Sequence, residues 1–275
     1  MTGRVERRVV IAVAFGVLGL TWSELVPALA AAPAPARLEI SADEMTVDSG
    51  ARTARASGHV RISDGRTVAT ADRATLFHGE GRGVLAGQAR VRSLQGELEG
   101  REITISYTTR AITRIVARGT ASLDAQGALT SAQLISITPA TEMLTAEREV
   151  TVFVEPDIVG TGARLTYERP RQRVVLEGRA RVQSRDGFLE ADRLEGFQGT
   201  QHVIVTGHVN GKFRDLEVRS DAAEIFHKER RAVFSGGVQL TQPGRRLAAS
   251  RVTVWYETNR VVAEGQTSVR IEPQP

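Results

Sequence analysis

Cysteine is absent from all 275 residues of this chain. That excludes disulfides, thiolate metal sites and a cysteine nucleophile, and it suits a protein that folds where thiols would be oxidised. Lysine is nearly absent too: Lys212 and Lys228 stand among 36 basic residues, the rest being arginine. The arginines are scattered, which reads as a composition bias rather than as a dedicated phosphate or carboxylate site. Aromatics make up 5% of the chain against 41% for all apolar residues, so a core has to be built from Val, Ile, Leu and Ala. Net charge is +4, and without residues 1–30, which hold three Arg and two Glu, it falls to +3. So small an excess argues against a nucleic-acid partner.

Catalytic signatures are missing as well. The histidines, His59, His78, His202, His208 and His227, form no H-x-x-x-H pair and adjoin no carboxylate cluster with metal-ligand spacing. Gly211-Lys212-Phe213 lacks the upstream glycine and the following Ser or Thr of a phosphate loop, and no G-x-S-x-G element occurs. No catalytic residue, metal site or cofactor is expected, and the chain reads as a binding or conduit protein without an energy source of its own.

Residues 1–30 have the three parts of a secretory signal peptide: Arg4, Arg7 and Arg8, an apolar run from Val9 to Trp22, and Ala28-Leu29-Ala30 as a small-x-small cleavage site. The run is short for a bilayer span. A periplasmic location follows, with a retained inner-membrane anchor as the competing reading. Residues 31–37, with Pro33 and Pro35, form a flexible linker.

What the chain has in abundance is repetition. Gly178, Gly207, Gly236 and Gly265 stand 29 residues apart, as do Ala191-Asp192, Ser220-Asp221 and Ala249-Ser250. Carried back, the template finds its small residue at Ala42, Ala71, Gly100, Ser131 and Gly162, and its glycine at Gly58, Gly87 and Gly119, with Ala146 as a weak counterpart. Eight units therefore fill a single repeat domain over 38–272, with steps of 29, 29, 31, 31, 29, 29 and 29. Each unit alternates apolar and polar residues on both sides of a polar turn, the pattern of two strands with one buried face. The in-strand glycine allows a bulge or sharp bend. Only residues 120–160 are irregular, which reads as repeat drift before it reads as an opening in the sheet. The in-phase Asp43, Asp72, Asp192 and Asp221 are expected to satisfy backbone N–H groups at turns, and His59 and His208 to fill one structural slot on the rim.

Constant parity assigns Ile103, Ile105, Leu134, Leu165, Val182, Leu194, Val205, Val209, Ile225, Val238, Leu240, Val252 and Val254 to one apolar face. The first and last strands have neighbours on one side only, so Leu38, Ile40, Val269 and Ile271 mark edges open to strand addition.

The units "ISADEMTVDSGARTARASGHVRI", "ATADRATLFHGEGRGVLAGQARV", "LEADRLEGFQGTQHVIVTGHV" and "VRSDAAEIFHKERRAVFSGGVQL" resemble the OstA-like family of lipopolysaccharide-transport proteins, the LptA family with its LptC and LptD N-terminal relatives. The resemblance covers essentially all of 38–272. It implies an all-β fold, an elongated antiparallel β-jellyroll, whose apolar inside is a groove for the acyl chains of lipopolysaccharide. It also implies edge-strand pairing with LptC-like and LptD-like proteins, or head-to-tail self-association, to bridge the periplasm. The alternatives from the pattern alone are a structural or adhesive parallel β-solenoid with a dry core and, behind it, a carbohydrate-active solenoid enzyme. Strand direction separates these from the first reading.

Overall fold

The computed structural model describes residues 37–94, 96–125, 127–154, 157–258 and 260–271, so the signal-peptide and cleavage assignments lie outside the described residues. Contacts divide the chain into two compact units, 37–151 with 166–170 and 152–165 with 171–271 over the described residues. The first holds β1 (Glu39–Ser41), β2 (Glu44–Asp48), β3 (Thr53–Ser63), β4 (Val68–Phe77), β5 (Arg82–Ser93), β6 (Gly96–Tyr107), β7 (Ile112–Ala125), β8 (Ala128–Thr138) and most of β9 (Met143–Val154). The second holds most of β10 (Ile158–Glu168), then β11 (Arg173–Ser184), β12 (Gly187–Phe197), β13 (His202–Phe213), β14 (Leu216–Phe226), β15 (Arg231–Gln242), β16 (Arg245–Trp255), β17 (Arg260–Glu264) and β18 (Ser268–Ile271).

Pairing is antiparallel between consecutive strands, from β3 through β8 in the first unit and from β11 through β16 in the second. A parallel solenoid is thereby excluded. The eight expected strand pairs are all present. The count reaches eighteen because the first and last strands are each broken at the corner: β1 and β2 both pair with β3, and β17 and β18 both pair with β16.

That corner organises every strand. In β12 the buried residues run Leu189, Ala191, then Leu194, a step of three; in β13 they run Val203, Val205, then Val209, a step of four. The ladder slips by one residue between them, Glu190 facing Asn210 but Arg193 facing Thr206. Each odd strand thus carries one extra residue, a β-bulge that lets the sheet bend while keeping apolar side chains inside on both arms. The bulge is held by two successive left-handed residues, Gly207 (φ 78°) and His208 (φ 50°) in β13, and Gly178 (φ 77°) and Arg179 (φ 55°) in β11.

The same geometry corrects the repeat's middle. In β9 the two left-handed residues are Arg148 (φ 66°) and Glu149 (φ 55°), so Arg148, not Ala146, holds the glycine slot, and Ala146 is buried in the core. In β8 the buried small residue is Ala132 rather than Ser131. The steps between small residues become 29, 29, 32, 30, 29, 29 and 29. Strands stay regular here; the longer steps fall in the turns after β6 and β9. The β6–β7 turn is tied back by Asp64, whose Oδ2 accepts the Ile112 N–H at 2.9 Å while its Oδ1 accepts those of Arg66 and Thr67.

Turns along one side stack on their predecessors through backbone bonds about one repeat long. The N–H groups of His78, Tyr107, Arg169, Gln198, His227 and Tyr256 donate to the carbonyls of Arg52, Gly81, Glu142, Gln172, Gln201 and Arg230. Each acceptor residue is left-handed, which turns its carbonyl toward the next turn.

The Asp of the small-Asp pair lies directly over the glycine of the next strand: a side chain on Gly207 would collide with the Asp192 carboxylate, whereas at Gly119 the nearest atom, Arg101 Cβ, is 3.6 Å away. Gly207→Ala is therefore expected to lower stability by about 1–3 kcal/mol, combining left-handed strain with the clash, and Gly119→Ala by clearly less. Urea unfolding of the two variants checks the order.

Candidate functional site

The core face of each unit is lined by Val, Ile, Leu and Ala. In the first unit Ile103 and Ile105 are fully buried; in the second so are Val182, Leu194, Val205, Val209, Ile225, Val238, Val252 and Val254, with Leu165 and Leu240 nearly so. Each such aliphatic side chain contributes roughly 1.5–3 kcal/mol by leaving water. Leu134 is the exception and corrects the sequence assignment. It is half-buried opposite Arg118 on the outer face, and Ile135 takes the inward place. The cause is the Ser131 assignment, since a one-residue slip in a strand moves every side chain to the other face.

The core face does not end covered. In the second unit Val261 is opposite Val254 and Val269 opposite Leu247, on the inward face, yet both are about half exposed at 46% and 59%, and Ile271 reaches 74%. Around them opens a cavity of about 710 Å³ lined by Leu216, Leu240, Leu247, Val254, Val261 and Val269, with Arg214, Arg245 and Arg246 also at its wall. In the first unit Met45 and Val47, opposite buried Ala56 and Ala54, are likewise exposed on the inward face of β2, beyond which Ile40 and Leu38 are half-buried. Exposed apolar surface with this regular placement has the form of an interaction or ligand surface.

Two further features sit on the outside. At the corners, His59 Nδ1 lies 2.7 Å from Asp43 Oδ2 and His208 Nδ1 2.8 Å from Asp192 Oδ2. The two acids thus meet histidine rings rather than the backbone N–H groups expected of them, while the two histidines do share one slot in their units. Along the second unit's outer face, successive cross-strand partners run Arg173, Phe197, His202, Phe226, Arg231, Trp255 and Arg260. His202 stacks on Phe226 at 4.5 Å between centroids, and the Arg231 and Arg260 guanidiniums lie 4.3 and 4.9 Å from the Phe226 and Trp255 rings. Cation–aromatic contacts of this kind hold the strand ends together. The sequence carried the signal as aromatic-to-cation pairs five residues apart, which repeat analysis centred on glycines passed over.

Among the described residues, electrostatics adds no buried reactive group. The Arg173 guanidinium, 2.6 Å from Glu195, holds that carboxyl below its usual range, while burial pushes Tyr167 and Tyr256 up to about 12. Among the described residues no cluster of three His, Asp or Glu is placed to hold a metal ion.

The sequence profile described as LptA/(LptD N-terminal domain) LPS transport protein matches residues 39–202 and 217–274. The chain belongs to this family. Its antiparallel, bulged β-jellyroll is the architecture implied by the family resemblance. A crystal structure of LptH, the LptA homologous periplasmic component of the lipopolysaccharide transport device of Pseudomonas aeruginosa, aligns over 86% of this chain and 95% of that one at 10% identity, with a TM-score of 0.18. No curated protein matches the sequence.

The corner pairs give a measurable titration. The hydrogen bond and charge of Asp43 and of Asp192 raise His59 and His208 above the ordinary 6.5, whereas burial lowers His227. A raised folded value means that the pair's stabilisation is complete below the unfolded value near 6.5 and is lost as pH climbs through the folded one. In an NMR titration His59 and His208 should follow His227 off their protons at distinctly higher pH, and Asp192→Asn should bring His208 alone back down.

Proposed function

We propose that this chain is a periplasmic lipopolysaccharide-binding transport protein that takes acyl chains against its apolar inward face and joins partners by edge-strand pairing. It acts as a link between inner and outer membranes and performs no reaction of its own. The observation that carries the reading is the apolar inward face left open at the terminal strands, in a chain of a lipopolysaccharide-transport family. At ~0.8 kcal/mol per buried CH₂, an acyl chain of about a dozen carbons gains on the order of 10 kcal/mol on such a surface. The arginines at the cavity wall suit the phosphates of the same lipid. Extraction from a membrane needs work from elsewhere, which places the energy source in a partner. The leader in residues 1–30 supports export.

A photo-crosslinking residue in place of Leu240 or Val254 is expected to capture lipopolysaccharide in a producing host, and one in place of outward Arg219 is not. Mass spectrometry of the adducts reads the result. Equal capture at the two kinds of site would sink the groove assignment.

The edges fit one another in the repeat's own register. Lys212 faces Glu217 across β13 and β14, 2.8 Å apart, and Gly211 faces Val218. Continued past β18 by the 29-residue step, that pattern sets Arg270 against Glu39 and Val269 against Ile40 of a second copy, and past β17 it sets Arg260 against Asp48 and Val261 against Val47. Head-to-tail addition would thus cover the exposed inward residues of both edges and form two pairs of opposite charge. Arg270→Glu and Glu39→Arg should each weaken self-association severalfold in analytical ultracentrifugation, and mixing the two variants should recover it through the reversed pair. Association that ignores both substitutions would show that the edges meet in another way or bind only other members of the family.

A further inference from the structure

We propose that the outer face of the first unit carries a binding site for a phosphorylated saccharide, walled by Arg101, Arg114, Arg118 and Arg148. The site lies on the opposite face of the sheet from the apolar interior and is independent of lipid binding there. Arg114 and Arg118 alternate with Val116 along β7, Leu134 and Ser136 flank them on β8, and Thr145 follows on β9. Together with the corner residues they enclose a concavity of about 720 Å³, the size of a small-ligand pocket.

Charge marks this place by the grouping of its arginines. Many arginines elsewhere meet carboxylates, as Arg82 does Glu80, Arg92 does Glu97, Arg181 does Glu190 and Arg231 does Glu229. Among the described residues, none of the four arginines here has a carboxylate within ion-pair distance. Arg114 Nε donates instead to Ser136 Oγ at 3.3 Å and Arg118 to Thr104 Oγ1 at 3.2 Å, hydroxyls that orient a guanidinium without neutralising it. Two acids, Glu147 and Glu149, flank Arg148 in sequence and also line the concavity, and Glu149 accepts from Gln133 Nε2 at 2.7 Å. Guanidinium forks suit a phosphate, and the hydroxyls of Thr120, Ser131 and Thr145 along the wall suit sugar hydroxyls.

The repeat supplies an independent observation. Seven units place glycine in the first left-handed slot of the corner, Gly58, Gly87, Gly119, Gly178, Gly207, Gly236 and Gly265, at φ between 68° and 78°. The fourth places Arg148 there, at φ 66°, in a conformation that costs any side chain. That one strained arginine lines this concavity. A residue that breaks a structural rule kept by every sister unit is where function is expected to override stability.

Calorimetric titration of the exported full chain with glucose 6-phosphate, and with glucose as the uncharged control, tests the site. Saturable binding of the phosphosugar alone is expected. Arg148→Gly should weaken it at least tenfold while the melting temperature holds or rises, because the left-handed strain is relieved; a merely structural arginine would leave affinity unmoved. Arg114→Gln with Arg118→Gln should weaken binding likewise, and Arg90→Gln with Arg92→Gln, whose arginines face Glu97 and Glu99, should not. A deacylated, phosphate-bearing lipopolysaccharide oligosaccharide that binds tighter than glucose 6-phosphate assigns the site to the lipid's saccharide; weaker or equal binding assigns it to a free sugar phosphate. No saturable binding of either, or an equal loss in the Arg90/Arg92 variant, overturns the proposal.

Discussion

The structure depends on a parity constraint. A strand that lies against a curved interior must turn a corner and still present every second side chain inward on both arms. Here the even strands meet it with a step of three between inward residues and the odd strands with a step of four, so each odd strand holds one residue more than its neighbours across the bend. The surplus is absorbed by two left-handed residues, or in β7 by Gly119 alone. Glycine in the first of them carries no steric cost and leaves room for the aspartate of the preceding strand. The short sequence signature of the repeat, small-Asp in one strand and Gly-x in the next, is thus the two sides of one bend, and the stacked turns follow because equal arms bring successive turns to the same height.

Where the chain obeys this rule its fold is legible from sequence alone. Period-two alternation on either side of a glycine that recurs at 29 residues leaves little freedom in strand number, direction of pairing or inward face. Legibility failed where the slot held no glycine. With Arg148 there, the template slid to Ala146, the small residue of the unit slid from Ala132 to Ser131, and Leu134 was turned inward in place of Ile135. The added residues in the turns after β6 and β9 compounded the error, because a repeat template cannot tell a longer turn from a shifted strand. The broken first and last strands were hidden for another reason: with one neighbour only, nothing on the far side carries the ladder across the corner.

The terminal strands present a tension that the interior strands do not. An exposed edge with apolar residues on one face is a template for indiscriminate pairing, and β2, β17 and β18 have both the edge and the apolar residues. What limits promiscuity is the alternation of charge along the same strands: Glu39, Glu44 and Asp48 at one end, Arg260, Glu264 and Arg270 at the other. An incoming strand has to match these in register as well as offer apolar residues, and like charges in the wrong register cost more than the apolar contacts return. In the proposed edge-strand pairing, affinity comes from the inward face and choice of partner from the outward one.

In a repeat protein a residue's recurrence is itself physical information. His59 with Asp43 and His208 with Asp192 build the same contact at the same bend in units far apart in the chain, and each His is almost wholly exposed. A bond made twice in the same slot belongs to the bend rather than to a ligand. The cation–aromatic row from Arg173 to Arg260 recurs in the same way and fastens strand ends. Departure from the pattern carries the opposite meaning, since seven glycines establish what the bend prefers and a single arginine in that place has to be explained by something other than the bend. Under the proposed function the inward face can stay uniform, because an acyl chain asks for nothing more specific than apolar surface. Chemical particularity can enter such a fold only at its edges and on its outer face, and those are the places where this sequence stops repeating itself.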